Sequence, residues 1–224
     1  MAIELKLLKR VHYFSGLSPD ELEPIKKFIA LEKTAEKGDI FLFDGEGSDF
    51  LYFLISGVVK VYKTSADGKE QILHIATQGE SLNDVSTFDG GPNAASMLAM
   101  TPVLLYGIRK SDLETLFRDH LKVALNTIKA LANRVRRDST LVKDLSFTKV
   151  TGRLAKMLLK YAGAETDGWP RLTQQDMAAM VGTAREVINR SLRTMEENGA
   201  IKLERHSIVI INKEALEDMV RASS

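Results

Sequence analysis

From about residue 45 the chain alternates short apolar runs with glycine. Gly45, Gly57, Gly68 and Gly79 lie eleven or twelve residues apart, the spacing of short strands joined by turns. Between and after them stand "FLYFLISG", "VVKVYKT", "EQILHIAT" and "AASMLAMTPVLLYGI". The second and third flank "SADG", a glycine-containing hairpin loop, and are rich in β-branched and aromatic residues. Several such strands in a row predict a compact β-barrel or jelly roll without setting its strand order.

Helical patterns bracket this region. Two helices precede it. The second opens at "SPDELEPIKKFI", where Ser18 is a cap, Pro19 suits the first turn, and Asp20 and Glu21 face the positive helix end. After the strands, "SDLETLF" reads as a helix capped by Ser111, and a long helix is expected from about Leu121 to Leu145. On it Leu121, Leu125, Ile128, Ala132, Val135, Ser139 and Val142 recur at spacings of four and three. That is a heptad seam. A helix packed on its own barrel is one reading. A parallel two-helix dimer seam is the other, favoured by the length and by the small residues Ala132 and Ser139.

Past Phe147 the texture becomes helix, helix, helix, hairpin, helix. "TKVTGRLAKMLLKYAGA" is amphipathic, "GWP" breaks it, and Trp169 reads as a packing anchor. "TQQDMAAMVG" and "TAREVINRSLRTMEENG" are two helices joined through Gly182. Thr173 with Asp176, and Thr183 with Glu186, have capping-box spacing. "AIKLERHSIVIIN" alternates as two short strands. Together these predict a helix-turn-helix with a wing. At about 100° per residue, Arg185, Glu186, Asn189, Arg190 and Arg193 share an arc of roughly 140°, opposite Ala184, Val187, Ile188, Ser191, Leu192 and Met195.

That arc has the chemistry of base reading. Arginine forks onto guanine, glutamate accepts from cytosine N4, and asparagine pairs with adenine or bridges to phosphate. Arg185, Glu186, Asn189 and Arg190 supply this set in the first two turns, where helix-turn-helix proteins touch bases. Thr173, Gln174 and Gln175 open the preceding helix, with side chains and free N–H groups suited to phosphate.

Composition narrows the class. The 224 residues allow one large or two modest domains, and a net charge of +1 argues against a chain coated in basic residues for non-specific nucleic-acid binding. Charge is uneven, basic through residues 117–144 and acidic between Asp39 and Asp49. There is no cysteine, hence no disulfide, thiolate zinc site or cysteine-ligated cluster. No run approaches the ~18 apolar residues of a membrane span, and "MAIELKLLKRVHYF" does not read as a secretory signal. A cytoplasmic protein is expected.

These residues carry a resemblance. "GEGSDFLYFLISGVVKVYK…DGKEQILHIATQGE", "VKDLSFTKVTGRLAKMLL" and "LTQQDMAAMVGTAREVINRSLRTMEENGAI" resemble the sensor β-roll, the passage from dimer helix to DNA-binding domain, and the helix-turn-helix of the CRP/FNR family. That family comprises bacterial transcription regulators related to the cyclic-AMP receptor protein. The resemblance implies an α+β fold: a double-stranded β-helix (jelly-roll, cyclic-nucleotide-binding-like) sensor at 1–119, a long dimerisation helix at 120–145, and a winged helix-turn-helix at 146–224. Implied partners are double-stranded DNA, a second copy of the chain, RNA polymerase and a small-molecule effector. Arg185, Glu186 and Arg190 match the arginine–glutamate–arginine set that reads TGTGA-like half-sites.

The effector expected from this resemblance is not cyclic AMP. Members that bind it carry a glycine–glutamate pair and then an arginine–serine pair that holds the phosphate. Alignment on Phe88 and Gly91 puts Asn83 and Asp84 at the first pair and Ala94 and Ala95 at the second. Alanine offers a phosphate no charge-assisted partner. Where the long helix of the family places adenine-contacting hydroxyls, this chain has Asp138 and Ser139, and a carboxylate near an anion is unfavourable. Haem is an alternative effector, with His12, His74 and His120 as candidate ligands. The stretch "NDVSTFDGGPNAAS" is either a pocket for other chemistry, with Asp84 or Asp138 accepting hydrogen bonds, or a loop that docks on the long helix without ligand. An enzyme is not expected. His12, His74, His120 and His206 are dispersed, and no nucleophile-elbow or P-loop pattern occurs. A module whose winged helix grips protein is the remaining class.

Overall fold

A computed structural model describes residues 3–161, 170–205 and 207–223. They form two compact units, one of residues 1–63 with 74–136 and the other of residues 64–73 with 137–224. The predicted Trp169 anchor and His206 lie outside the described residues.

The first unit begins with α1 (Leu5–Leu8), a 3-10 turn at His12–Phe14, and α2 (Pro19–Leu22). Ser18 and Glu21 make the full capping box at the start of α2. The expected second helix is α-helical for only these four residues and continues as a 3-10 turn, Glu23–Phe28. Pro24 is the reason: it has no N–H to donate, and its ring clashes with the carbonyl four residues back. Two four-stranded sheets follow, built from β1 (Ile29–Ala35), β2 (Ile40–Leu42), β3 (Phe50–Ser56), β4 (Val59–Thr64), β5 (Glu70–Ala76), β6 (Ser81–Leu82), β7 (Ser96–Ala99) and β8 (Val103–Arg109). Their orders are β1-β8-β3-β6 and β2-β7-β4-β5.

The unbroken apolar run of β3 has a direct cause. Tyr52 and Leu54 point into the cluster between the sheets, with Val59, Leu82, Met97, Ala99 and Leu105. Leu51, Phe53 and Ile55 point the other way, onto Tyr13, Phe14, Leu22, Leu113, Leu116 and Val123 from the helical segments. Both faces of the strand are buried, so no position is left for a polar residue.

Gly79, in the turn after β5, has φ +91°, and a Cβ there would lie 2.2 Å from the Arg10 carbonyl oxygen. The same turn accepts a hydrogen bond from the His12 N–H at 2.9 Å. Gly79→Ala is therefore expected to cost at least about 1–3 kcal/mol, the range for a non-glycine residue forced into a sparse backbone region. Chemical denaturation measures it; an unchanged midpoint would contradict the packing described.

Between β6 and β7 lies α3 (Asp84–Asp89), and after β8 come α4 (Leu113–Asp119) and α5 (Leu121–Phe147). Ser111 does not cap α4. Residues Lys110–Asp112 form a 3-10 turn that moves the helix start to Leu113, and the Ser111 hydroxyl bonds the Asp112 carboxylate instead. On α5, Val123 and Thr127 are buried, with Ala130 and Arg134 half-buried on the same face. All seven positions of the predicted seam are exposed, Ile128 at 63% and Val135 at 65%.

The second unit holds α6 (Val150–Tyr161), α7 (Gln174–Val181), α8 (Arg185–Glu197), the strands β9 (Ile201–Leu203) and β10 (Ile208–Ile210), and α9 (Lys213–Arg221). Leu154 and Leu158 of α6, Met177 and Val181 of α7, Ile188, Leu192 and Met195 of α8, and Leu216 of α9 share one core. β9 and β10 pair antiparallel as the wing.

Candidate functional site

In the second unit, the start of α7 is fixed by Thr173. Its hydroxyl accepts from the Asp176 N–H at 3.0 Å, and the Asp176 carboxylate accepts from the Thr173 N–H at 3.0 Å. The helix ends at Gly182, φ +71°, which turns the chain directly into α8. The capping box expected of Thr183 and Glu186 does not form. Ala184 occupies the N-cap of α8 without a side-chain cap, because the Thr183 N–H is spent closing α7 on the Ala178 carbonyl at 3.1 Å. Glu186 is thus not committed to capping.

Ile188, Ser191, Leu192 and Met195 are buried, at the i, i+3, i+4, i+7 spacing of one helix face. Arg185, Glu186, Arg190 and Arg193 are exposed on the other, with Asn189 half-buried beside them. Val187 is half-buried, whereas Ala184 is exposed, contrary to its expected place on the inner side. Thr173 and Gln175 are exposed and Gln174 half-buried. These three, with Arg185, line one hollow of about 740 Å³, which the wing closes with Arg205 and Ser207 and to which Arg171 adds a further guanidinium. Arginines from three separate chain segments thus surround a concave surface whose floor is the apolar core. Of the predicted residues, Thr173, Gln174, Gln175 and Arg185 come together here, while Glu186, Asn189 and Arg190 are not among its lining; Arg171 and Arg205 were not foreseen. Their signal was a basic residue next to each predicted helix or strand end.

The candidate effector residues divide differently. Asn83 is buried with φ +69°, the left-handed region. Its amide donates to the Phe50 carbonyl at 3.1 Å and its Oδ1 accepts from Ser86 at 2.7 Å. Asn93, also buried, donates to the Phe43 carbonyl at 3.0 Å, and Lys110 donates to the Ser86 carbonyl at 2.8 Å. Ala95 is buried next to these, whereas Ala94 is exposed. Asp138 and Ser139 are exposed on α5 and belong to the other unit.

Asp84 is fully buried. Its Oδ1 accepts a short hydrogen bond from the Tyr13 hydroxyl, and its Oδ2 lies 2.6 Å from the Arg134 guanidinium. Arg134 also donates to the Ser81 carbonyl at 3.0 Å. Burial, and then the neighbouring Asp84 carboxylate, push the Tyr13 pKa above its ordinary value, so the phenol keeps its proton and remains a donor. The carboxylate read from sequence as an acceptor for a ligand is therefore already engaged by two of the chain's own side chains. Tyr13 and Arg134 escaped the sequence reading. Arg134 had a signal: with Val123, Thr127 and Ala130 it continues a 4-3-4 spacing, a cation on the inward face of a helix. The His74 ring lies 2.7 Å from Glu80. Among the described residues no three His, Cys, Asp or Glu side chains cluster as metal ligands, and no helix is long and apolar enough to cross a membrane.

Comparison with known proteins finds two families along the chain. Residues 32–120 match the family described as the cyclic nucleotide-binding domain, and residues 152–219 match the Crp-like helix-turn-helix domain. A CRP-like cAMP-activated global transcriptional regulator of Mycobacterium tuberculosis is 32% identical over 223 residues, covering 96% of this chain and 99% of that protein. The cyclic AMP receptor protein of Thermus thermophilus is 27% identical, with 92% and 95% covered. A crystal structure of a putative crp/fnr-family regulator from Eubacterium rectale superposes with TM-score 0.75 at 24% identity, covering 93% of this chain and 99% of that one. With a sensor roll, a long helix and a helix-turn-helix DNA-binding domain in this order, the chain belongs to the CRP/FNR family of transcription regulators, which are not enzymes.

Proposed function

We propose that the protein acts as a cytoplasmic homodimer that binds a two-fold-symmetric DNA site, and that RNA polymerase is its downstream partner. The observation that carries the reading is the exposed Arg185, Glu186 and Arg190, with Asn189 half-buried beside them, on a helix that buries Ile188, Ser191, Leu192 and Met195 on its opposite face. A helix seated in this way presents rigid, pre-oriented donors and acceptors to a major groove. Thr173, Gln174 and Gln175 at the start of α7 supply phosphate contacts that set its register. The exposed seam of α5 supports pairing with a second copy, because a helix of 27 residues with an apolar stripe open to water has one obvious way to cover it. Two-fold pairing then calls for half-sites about 34–36 Å apart, one helical turn of DNA.

Selection of bound duplexes from a random pool tests the reading, and a symmetric consensus is the expected result. On that consensus, Arg185→Ala and Arg190→Ala are each expected to cost about 1–3 kcal/mol and to relax preference at one base pair per half-site. Dimerisation should be untouched. Equal losses on matched and scrambled duplexes would mean that these arginines neutralise phosphate and read no base.

The relatives named above as cAMP-activated do not fix the effector of this chain. No charged side chain stands at Ala94 or Ala95 to meet a cyclic phosphate. That absence supports an effector other than cyclic AMP, or none.

A further inference from the structure

The turn between α7 and α8 is held to the end of α5 by two contacts. Arg153, half-buried near the start of α6, donates through Nε to the carbonyl of Val181, the last residue of α7, at 2.7 Å. Its Nη1 donates to the Thr148 carbonyl just past α5 and lies 3.5 Å from the Asp144 carbonyl in the last turn of that helix. The second contact is apolar. Leu145 of α5 packs on Gly182, where an added Cβ would lie 2.6 Å from Leu145 Cδ2. All of these residues belong to the second unit.

The last carbonyls of a helix have no partner within it and carry the negative end of its dipole. One guanidinium placed between two such ends answers both, because its donors fan out in a rigid, permanently charged plane. An ordinary cap serves one helix. Arg153 serves two from a third, so its bonds fix the direction of α7, and through the one-glycine turn that of α8, relative to the end of α5. The seam residues Ser139 and Val142 are exposed on that same stretch of α5 and lie in the same unit. Val142 stands less than two helical turns before Thr148. The path from the seam to the reading face is therefore short.

We propose that Arg153 is a positioning residue for DNA recognition: by bridging the ends of α5 and α7 it fixes the angle of α8 to the long helix, and so sets the half-site spacing that two paired chains accept. This rests on the paired, DNA-reading function proposed above and adds a determinant of its specificity. Arg153 acts through α8 and reads no base itself. Spacing is demanding because one base pair inserted between half-sites turns one of them by about 34° and shifts it by about 3.4 Å. A rigid pair of reading helices cannot follow that change; a loosened pair can.

The test uses the full chain on three duplexes: the selected consensus, the same with one base pair inserted at its centre, and a single half-site. Wild type is expected to lose on the order of 10²-fold in affinity on the inserted duplex, as when two linked sites cannot be engaged together. Arg153→Gln removes both the charge and the fork. It should weaken consensus binding and shrink that ratio to roughly tenfold or less, while affinity for the half-site stays that of wild type. Arg153→Lys keeps the charge without the fork and should show the same narrowed ratio at a smaller cost in Tm. A role confined to stability would lower Tm and leave the ratio alone. A folded Arg153→Gln protein with the wild-type ratio therefore overturns the proposal, as does an equal loss on half-site and consensus. Should Arg153→Gln fail to fold, Leu145→Ala, which frees Gly182 from its packing on α5, decides by the same ratio. A wild type that selects no two-fold site defeats the function proposed above and this inference with it. One that selects such a site, while Arg153→Gln keeps its ratio, defeats this inference alone.

Discussion

Arg134→Ala is expected to lower the stability of the sensor unit by about 3 kcal/mol, the lower end of the cost of removing one partner from a buried ion pair. The lower end applies because the Arg134 side chain is 24% exposed, whereas that of Asp84 is fully buried. Alanine leaves the carboxylate with one hydroxyl donor and no cation. Desolvation of the charge is then uncompensated, and that term, rather than the lost attraction, sets the size of the effect. For a chain of this length about 3 kcal/mol corresponds to a fall of roughly 6–12 °C in Tm, which calorimetry resolves. Lys129→Ala, on the exposed side of the same helix, is the control and should stay within about 0.5 kcal/mol of wild type. Replacing the whole group with apolar residues (Asp84→Leu, Arg134→Met and Tyr13→Phe together) should restore much of the stability, since no buried polar atom is then orphaned. An Arg134→Ala protein as stable as the Lys129→Ala control would show that the contact between Arg134 and Asp84 does not stabilise the fold.

The second large effect concerns the seam. Ile128→Asp combined with Val135→Asp should leave each chain folded, because both side chains already face water in a single copy. The variant is expected to run as a monomer in sedimentation equilibrium where wild type runs as a dimer. Two carboxylates per helix would oppose two more across the seam, in positions where knobs must pack into apolar holes. Affinity for the selected duplex should fall by about 10²–10⁴, the gain ordinarily lost when two linked binding events become one. A monomeric wild type, or a variant that remains dimeric, would remove the seam from the account.

The two effects separate the roles of the two faces of α5. Its inward face, Val123, Thr127, Ala130 and Arg134, is spent on its own sensor, while the seam lies on the outer arc. One helix can therefore carry both an internal tie and an open apolar stripe.

Much of this was legible in the sequence because it depends on local spacing. Evenly placed glycines and runs rich in β-branched and aromatic residues marked the strands of the roll, a heptad spacing marked α5, and helical periodicity marked α8. The one-glycine link at Gly182 and the arc Arg185, Glu186, Asn189 and Arg190 follow from helix geometry alone, as does the Thr173–Asp176 capping box. Where local rules competed, the sequence reading failed. Thr183 had a capping partner at the right distance, but its N–H was needed to close the preceding helix. Ser111 stood before an apolar pattern, but a 3-10 turn came between. Pro24 shortened α2 where the hydrophobic pattern ran on.

The strand order, the helix α3 and the partners of Asp84 were decided by tertiary structure alone. Tyr13 is 71 residues from Asp84, and Arg134 lies 50 beyond it. No periodicity links positions so far apart; only the closing of the roll against its helices brings them within bonding distance. A buried carboxylate is stabilised by a nearby cation, and no local spacing tells which residue supplies it. The sequence by itself determined the kinds of element, the exposed apolar stripe of α5 and the polar arc of α8. Folding decided that the charge at the centre of the sensor is answered from within.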